Sequence, residues 1–460
     1  MSEGALKLWF ESVLLPGGWA RRVRVTGRDG LIRSIEAEVD PAAGDERHAV
    51  GLPGLPNLHS HASQRAIAGL TERRGPAQDS FWTWRELMYR FLERIDPDQL
   101  EAVAALAFAE MLEAGFTRVG EFHYLHQDKA GVPFADPGEL AARIAAAAAE
   151  TGLALTLLPA FYAHGGFGGR EPTARQCRFV TDLERFARIV ESSRKAAAAL
   201  PGGAVGVAAH SLRAVTLEEL PAVAALAAGG PVHIHVAEQV REVEECVAWC
   251  GRRPVECLFE ATRVDDRWCL VHATHVIPEE LERIVAANAV VGLCPITEAS
   301  LGDGVFPALE FQARGGRLGI GSDSNVLLDA GAELCMLEYS QRLSRRARNV
   351  LAGESGHSTG RSLFAAALAG GAQALAGAGA RGPAGLAVDT PLDLVSLNVD
   401  HPALIERRED EILDSWIFAA GRHVIDCVWR AGEKVVSGGR HRHREAIVAR
   451  YRRALKALLA

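Results

Sequence analysis

The middle of the chain alternates short apolar runs with longer stretches whose hydrophobic residues recur at helical spacing. The eight apolar runs lie at 50–58, 118–122, 153–161, 205–209, 232–236, 268–271, 289–293 and 318–320. Helical stretches separate the runs, for example 98–114, 137–149, 216–228 and 278–287. Strands that alternate with helices form right-handed parallel βαβ units. Eight such units predict an α/β fold, a (β/α)8 TIM barrel with its active site at the carboxyl ends of the strands.

Both ends of the chain show a different pattern, in which short apolar runs alternate with polar neighbours between turns rich in glycine and proline. These runs lie at 6–15, 20–25, 31–35, 393–397, 423–429 and 433–436. Such runs predict strands. Because the termini of a domain often lie close together, we expect one small β-sandwich built from both ends. The predicted domains are the sandwich at 1–52 and 386–440, the barrel at 53–385, and a C-terminal helix at 441–460.

One connection in the predicted barrel is too long for a simple turn. Residues 73–84 follow the first barrel strand and contain Gly75, Pro76 and the aromatic residues Phe81, Trp82 and Trp84. Long connections in compact domains are commonly functional. We therefore expect an active-site loop at this position.

Composition narrows the class of protein. The 460 residues carry a net charge of −8, which argues against a nucleic-acid binder. No stretch of about 18 apolar residues predicts a membrane span, and the first residues lack the pattern of a signal peptide. The eight cysteines include no Cys-x-x-Cys pair, and the only close set is Cys246, Cys250 and Cys257. Reduced thiols in a cytoplasmic protein are favoured over a cysteine metal cluster.

Polar residues follow every apolar run of the middle section. They stand at 59–61, 121–124, 162–164, 210–213, 235–238, 272–275, 294–298 and 322–325. Since the carboxyl ends of barrel strands share one face, we expect these residues to meet there.

Four of these residues predict a metal site. His59 and His61 stand two apart, and residues two apart on a strand point to the same side. A His-x-His pair alone is commonly incidental. His235 follows strand five, however, and Asp323 follows strand eight, which neighbours strand one in a closed barrel. A catalytic zinc site takes such nitrogen and oxygen ligands and leaves a position for water, so we predict His59, His61, His235 and Asp323 as metal ligands.

Three residues are candidates for the chemistry itself. Glu238 stands three residues after His235, where a carboxylate can take a proton from the attacking water and deliver it to a leaving nitrogen. The alternative is a glutamate that only complements the N-terminus of a helix. His272, after strand six, can stabilise developing charge. Asp323 would activate water together with the metal.

The motifs at 58–61, 233–238, 271–275 and 321–325 resemble the amidohydrolase superfamily, in its deaminase branch. The resemblance covers most of the chain. Dinuclear members carry a carboxylated lysine after strand four, where this chain has His-Ser-Leu-Arg at 210–213. One metal ion per chain is therefore expected. The resemblance implies Zn²⁺, although Fe²⁺ or Mn²⁺ also suits these ligands.

The residues that metal chemistry does not require indicate the substrate. These candidates for substrate binding are Gln64, Arg85, Tyr124, His210 and Arg213. Two arginines that point into a barrel mouth favour carboxylates, which the guanidinium fork binds with two hydrogen bonds. Either arginine could instead form a salt bridge that supports the loop or the barrel rim.

The residues at 59–66, 81–85 and 294–299 resemble the formimidoylglutamate deiminases. That resemblance implies hydrolysis of N-formimino-L-glutamate, a small dicarboxylate, to N-formyl-L-glutamate and ammonia in histidine degradation. Metal-bound hydroxide would attack the formimino carbon. A cytoplasmic homodimer without nucleic-acid or membrane partners is expected.

Two alternatives remain. One is a nucleobase or S-adenosylhomocysteine-type deaminase of the same superfamily, although Thr297 and Glu298 stand where many nucleobase deaminases have Ser-Asn. The other is a scaffold that has lost its chemistry, which the complete ligand set disfavours.

Overall fold

The computed structural model describes residues 5–75, 79–376 and 384–460. Its strands are β1 (Leu6–Leu15), β2 (Gly18–Arg28), β3 (Leu31–Glu36), β4 (Glu46–Pro53), β5 (Leu55–Ser60), β6 (Phe116–His123), β7 (Ala154–Phe161), β8 (Ala204–Val205), β9 (Val207–Ser211), β10 (Val232–Val236), β11 (Trp268–His272), β12 (Val290–Leu293), β13 (Arg317–Ile320), β14 (Leu394–Leu397), β15 (Ile425–Arg430), β16 (Glu433–Ser437) and β17 (Arg440–His441). Its α-helices are α1 (Phe81–Leu92), α2 (Pro97–Glu113), α3 (Glu139–Thr151), α4 (Leu183–Ala198), α5 (Leu220–Ala225), α6 (Val240–Cys250), α7 (Pro254–Ala261), α8 (Pro278–Ala286), α9 (Pro295–Leu301), α10 (Ala308–Ala313), α11 (Ala330–Arg345), α12 (Thr359–Leu375), α13 (Asp410–Ser415) and α14 (Arg444–Leu459).

The larger sheet consists of parallel strands in chain order: β5, β6, β7, β9, β10, β11, β12 and β13, with the short β8 beside β7. Helices follow most of these strands, as βαβ units require. The strands β5, β7 and β10 are buried at every position. Such continuous burial is typical of strands that helices cover on one face and the barrel interior covers on the other. The predicted (β/α)8 barrel is confirmed.

Hydrogen bonds between β5 and the residues after β13 close the barrel at its carboxyl end. The amides of Ser322 and Asp323 both donate to the carbonyl of His59 at 3.0 Å, and the amide of His61 donates to the carbonyl of Asp323 at 2.8 Å. Gly321 permits this approach, because a Cβ there would lie 2.8 Å from the carbonyl oxygen of His59. The closure places the histidine pair beside Asp323.

A buried polar network fixes the register of this junction. Asn57 Nδ2 donates to Ser322 Oγ at 2.6 Å, and the Ser322 amide donates to Asn57 Oδ1 at 3.0 Å. The Ser322 hydroxyl donates to Asn325 Oδ1 at 2.6 Å, and Asn325 Nδ2 donates to the carbonyl of His61 at 3.0 Å. Satisfied buried networks of this kind specify one arrangement of the elements that they join.

Both ends of the chain build the smaller sheet, whose order is β17, β16, β15, β14, β4, β1, β2 and β3. The antiparallel pairing of β14 with β4 joins the C-terminal strands to the N-terminal ones. The sheet curls, since β3 meets the segment before β14 at a bridge between Leu31 and Pro391. Phe10, Val23 and Trp429 share its apolar core. The predicted small β domain from both termini is confirmed.

The prediction of one strand at 50–58 was wrong. The structure has two strands there, β4 in the small sheet and β5 in the barrel. The chain passes from one sheet to the other at Gly54, whose amide donates to the carbonyl of Asp393 at 3.2 Å. A Cβ at Gly54 would lie 2.2 Å from a methyl carbon of Thr117, so only glycine fits this crossing.

Two further boundaries differ from the predicted ones. The segment 73–84 was predicted as a loop, but its last residues start α1, where the amide of Ser80 donates to Thr83 Oγ1 at 3.0 Å. Residues 76–78, which include Pro76, lie outside the described residues. The helix predicted at 216–228 is reduced to α5, with Pro221 in its first turn. A proline is accommodated there, because the amides of the first turn have no partner within the helix.

The C-terminal helix predicted at 441–460 is present as α14. The domain boundaries at 52/53 and 385/386 stay predictions, and residues 377–383 before the second boundary lie outside the described residues. Among the helices of the described ranges, none combines the length and the apolar character that crossing a membrane requires.

Candidate active site

A cavity at the carboxyl ends of the barrel strands brings together nearly all the predicted site residues. Its lining includes His61, Gln64, Arg85, Tyr124, His210, Arg213, His235, Glu238, His272 and Asp323. The remaining predicted residue, His59, is fully buried against this group. The lining residues that were not predicted as site residues include Tyr89, Tyr162, Arg170 and Arg241.

The four predicted metal ligands converge on one point. The Nε2 atoms of His59 and His235 lie 3.1 Å apart. Asp323 Oδ1 lies 3.5 Å from Nε2 of His59 and 3.3 Å from Nε2 of His61. Each of the three histidines offers a ring nitrogen within 4.8 Å of the others. Three imidazole nitrogens and a carboxylate oxygen are a donor set that suits a divalent metal ion.

Backbone carbonyls orient two of these imidazoles. His61 Nδ1 donates to the carbonyl of Phe122 at 2.8 Å, and His235 Nδ1 donates to the carbonyl of His210 at 2.9 Å. Each ring therefore turns an unprotonated Nε2 to the shared point, as metal-binding histidines do. Burial lowers the pKa of His59 to about 3 and also lowers the pKa values of His61 and His235. All three rings are thus neutral near pH 7, the form that binds metal.

The ends of three barrel strands adopt an uncommon backbone conformation. Ala237, His272 and Asp323 have positive φ angles of 51°, 67° and 43°. A non-glycine residue in this region costs on the order of 1–3 kcal/mol and persists only where surrounding contacts impose it. The conformation occurs where the chain leaves β10, β11 and β13, at the catalytic candidates His272 and Asp323 and directly before Glu238. We infer that it helps to set the direction of these side chains.

Two carboxylates and a histidine form an acid–base group beside the metal-ligand set. His272 Nδ1 donates to Glu298 Oε1 at 3.1 Å, while its Nε2 lies 3.8 Å from Asp323 Oδ2 and 4.0 Å from Glu238 Oε1. Burial alone would lower the pKa of His272, but the charge of Glu238 and the hydrogen bond to Glu298 raise this pKa to about 10. Burial raises the pKa of Glu238 to about 6, although His272 opposes the rise. The group therefore holds a positive ring beside a carboxyl that titrates near neutrality.

Two arginines of the cavity, Arg85 and Arg213, have donors without a partner among the described residues. Arg213 Nη2 lies 3.8 Å from Glu238 Oε2 and 4.0 Å from Glu242 Oε2. Its Nε and Nη1, and the Nε of Arg85, are buried without a hydrogen-bond partner among the described residues. Arg85 stacks on Trp82, with its Cζ 4.6 Å from the ring centre. Buried unpaired guanidinium donors are costly, so they indicate a place for an anionic ligand.

One part of the cavity wall carries neutral polar groups. Gln64 Nε2 donates to the hydroxyl of Tyr124 at 3.0 Å, and Gln64 Oε1 is buried without a partner among the described residues. Burial and the nearby charge of Arg213 lower the pKa of His210, so this ring is neutral. The wall can therefore offer both donors and acceptors to a ligand.

Two supporting residues were not predicted from the sequence. Glu298 fixes His272, and it also accepts the amide of Cys294 at 2.9 Å. Glu242 accepts the amides of Ala237 and Glu238, each at 3.1 Å, and so braces the loop after β10. Glu298 stood within the polar residues after run seven, which was a usable signal. Glu242 stands on a helix with other acidic residues, and nothing in the local pattern distinguishes it.

Comparisons with known proteins show which families this chain resembles. Residues 50–435 match the family described as "Amidohydrolase family", and residues 10–49 match "Formimidoylglutamate deiminase HutF, N-terminal domain". The formimidoylglutamate deiminase of Pseudomonas aeruginosa is 48% identical over 457 residues, which cover 98% of this chain and 99% of the relative. The 8-oxoguanine deaminase of the same organism is 29% identical over 66% of each chain.

Solved structures give the same picture of the fold. An amidohydrolase from Brucella melitensis is 53% identical and superposes with a TM-score of 0.94, covering 99% of this chain and 100% of that one. An adenosine deaminase from Xanthomonas campestris with bound zinc is 21% identical, with a TM-score of 0.80 and 98% of each chain covered. The second likeness supports the fold alone.

Proposed function

This chain belongs to the amidohydrolase family and, within it, to the formimidoylglutamate deiminases, and on that premise we propose that it hydrolyses N-formimino-L-glutamate to N-formyl-L-glutamate and ammonia. The reaction is a step of histidine degradation. The observation that carries the proposal is the pair of arginines, Arg85 and Arg213, with buried unpaired donors in the cavity that also holds the metal-ligand set. A substrate with two carboxylates and an amidine has a partner for each of these features.

The metal would be held by His59, His61, His235 and Asp323. A bound divalent ion would supply Lewis-acid activation of water. The donor set supports zinc, and Fe²⁺ or Mn²⁺ also suits it. We propose one ion per chain, since the position after strand four carries His210 rather than a lysine.

The proton transfers would fall to Glu238. Water adds to the formimino carbon while Glu238 takes one proton from that water and delivers it to the imino nitrogen, which becomes an amino group. The hydroxyl of the adduct then gives up its remaining proton, which Glu238 passes to the same nitrogen. The carbon–nitrogen bond breaks, the formyl C=O bond forms, and ammonia leaves. The pKa of Glu238, about 6, supports both roles, since a group that titrates near the working pH can accept and return a proton.

His272 would stabilise the tetrahedral adduct. Glu298 accepts the Nδ1 proton of its ring, and the raised pKa keeps Nε2 protonated as well. Nε2–H can therefore donate to the oxygen that has been added to the formimino carbon. Asp323 faces both His59 and His272, which supports a second role beside metal binding, as an acceptor for the water.

The substrate's carboxylates would lie against Arg85 and Arg213, with Gln64, Tyr124 and His210 completing the pocket. The expected homodimer and the cytoplasmic location stay predictions.

Ammonia release with a panel of substrates tests the proposed function. The purified chain loaded with Zn²⁺ should release ammonia from N-formimino-L-glutamate with kcat/KM at least about a thousandfold above the values for guanine, cytosine and S-adenosylhomocysteine. The shorter N-formimino-L-aspartate, which keeps both carboxylates, should be a poor substrate. Comparable or faster turnover of a base or nucleoside would instead support the deaminase alternative.

A further inference from the structure

Three cysteines outside the catalytic cavity bring their sulfur atoms together. Cys246 and Cys250 lie on the last turns of α6, and Cys257 lies on α7. The Sγ of Cys257 is 3.8 Å from the Sγ of Cys246 and 3.2 Å from the Sγ of Cys250, and all three sulfurs lie within 4.8 Å of one another. All three are free thiols. We propose that this thiol cluster (Cys246, Cys250 and Cys257) is a second metal site, which binds Zn²⁺ through three thiolates.

The spacing suits a thiolate site. Zinc–sulfur bonds of about 2.3 Å in a tetrahedron place neighbouring sulfurs about 3.8 Å apart. The distance between Cys246 and Cys257 already has this value. The distance between Cys250 and Cys257 is shorter, at 3.2 Å. Cys250 is only half-buried, and a rotation of its side chain would lengthen this distance when the metal binds. The fourth position would face solvent beside Cys250 and take a water molecule.

A metal site requires deprotonated thiols. The hydrogen bond with Cys246 and the charge of Arg252 lower the pKa of Cys257 to about 7. The hydrogen bond with Cys257 and burial raise the pKa of Cys246, and burial raises the pKa of Cys250, so a bound Zn²⁺ would have to displace the protons of these two thiols. Three thiolates around Zn²⁺ leave a net charge of −1 on the site.

The position indicates a structural rather than a catalytic ion. The helix α6 follows the loop of Glu238, and Glu242 on this helix accepts the amides of Ala237 and Glu238. A metal ion at the thiol cluster would join the last turn of α6 to α7. It would thereby stabilise the helix that braces the catalytic loop.

Metal stoichiometry is the first test. Reduced protein equilibrated with excess Zn²⁺ and then dialysed should retain two zinc ions per chain. The double variant Cys250→Ser/Cys257→Ser should retain one. The control Cys335→Ser, which changes a half-buried free thiol on α11, should retain two. A single zinc ion in the wild-type chain, or two in the double variant, would overturn the proposal.

Cobalt spectroscopy separates this site from the catalytic one, whose predicted ligands include no sulfur. Co²⁺ bound to thiolates gives an intense sulfur-to-metal charge-transfer absorption in the near ultraviolet. We expect this absorption in the wild-type chain and in His235→Ala, which weakens the catalytic site, and its loss in the double cysteine variant. Its absence from the wild-type chain, or its persistence in the double variant, would contradict the assignment.

Thiol labelling uses only the wild-type chain, so it tests the proposal even if the double cysteine variant does not fold. Zn²⁺ should slow alkylation of Cys250 in the native wild-type chain at least tenfold and leave Cys335 unaffected, as read by peptide mass mapping. Equal labelling with and without Zn²⁺ would overturn the proposal. So would a Cys250–Cys257 disulfide whose reduction restores no zinc binding.

Discussion

Replacing Arg213 by methionine tests the proposed carboxylate site. Methionine keeps much of the volume and removes the charge and the donors. The Nε and Nη1 atoms of Arg213 are buried without a partner among the described residues, so a substrate carboxylate would be their partner. Without the guanidinium, that carboxylate would lose its hydration on entering a buried pocket and gain no charged partner in exchange.

The size of the effect follows from the donors that would be lost. A hydrogen bond to a charged group contributes about 1.5–3 kcal/mol, and two donors of Arg213 lack a partner among the described residues. Because water can partly replace them in the variant, we take about 3 kcal/mol, which corresponds to a decrease in kcat/KM of about 150-fold. The decrease should appear mainly as a raised KM, since carboxylate binding is common to the ground state and the transition state.

The assay is steady-state ammonia release at pH 8, where Glu238 stays ionised even if the loss of its neighbour Arg213 raises its pKa. The matched control is Arg241→Met. Arg241 also lines the cavity, but it is exposed, and its Nε already pairs with Glu245 at 2.7 Å, so we expect a change below about fivefold. A second control is a formimino substrate that lacks the carboxylate that Arg213 binds. For this substrate, Arg213→Met should decrease kcat/KM by a smaller factor than it does for the full substrate. A KM change below threefold for Arg213→Met with the full substrate would refute the carboxylate role.

Three further changes test other parts of the account. Glu238→Gln should lower kcat by about 10²–10⁴-fold with metal content unchanged in elemental analysis, and near-normal kcat would remove Glu238 from the proton transfers. Glu298→Gln should lower the pKa of His272, because it removes the charged acceptor of Nδ1; we expect kcat to fall about tenfold with KM nearly constant, and a change in KM alone would speak against this positioning role. Burial lowers the pKa of His126 to about 4, and its Nε2 contacts the carbonyl of Ala160 at 2.8 Å. The unfolded chain protonates this histidine near pH 6.5, whereas the folded chain does not. The free energy of unfolding should therefore fall by about 2 kcal/mol between pH 7 and pH 5 on account of His126. Urea unfolding at both pH values should therefore show a smaller loss for His126→Gln than for the wild type, and equal losses would contradict the linkage.

Much of the site could be predicted because, in a parallel barrel, the position of a residue relative to its strand determines the face of the barrel on which it lies. Each strand delivers the residues after it to the same face. His61, His235 and Asp323 are distant in sequence, yet their strand-end positions were sufficient to place them together. This inference depends on the alternation of apolar runs and helices. It is unaffected by errors of one or two residues in the predicted ends of the strands.

Other features depend on tertiary contacts that leave no local pattern. The break within 50–58 arises because one apolar run contributes a strand to each of two sheets. Glycine is required at Gly54 because the side chain of Thr117 lies where a Cβ would be. Glu242 braces the catalytic loop through backbone amides, which any helical glutamate could do in principle. The three thiols of the cluster meet because of the way α7 packs against α6. The sequence does not reveal this packing, and so it favoured separate reduced cysteines.

Hydrolysis by this chain requires that water add to the formimino carbon of N-formimino-L-glutamate. Turnover by the Zn²⁺-loaded chain in ¹⁸O-labelled water, followed by mass spectrometry of the organic product and quantification of ammonia, measures this addition. We expect N-formyl-L-glutamate with a single ¹⁸O atom in the formyl group and one ammonia per product. Unchanged substrate, or a product without the label, would contradict this expectation.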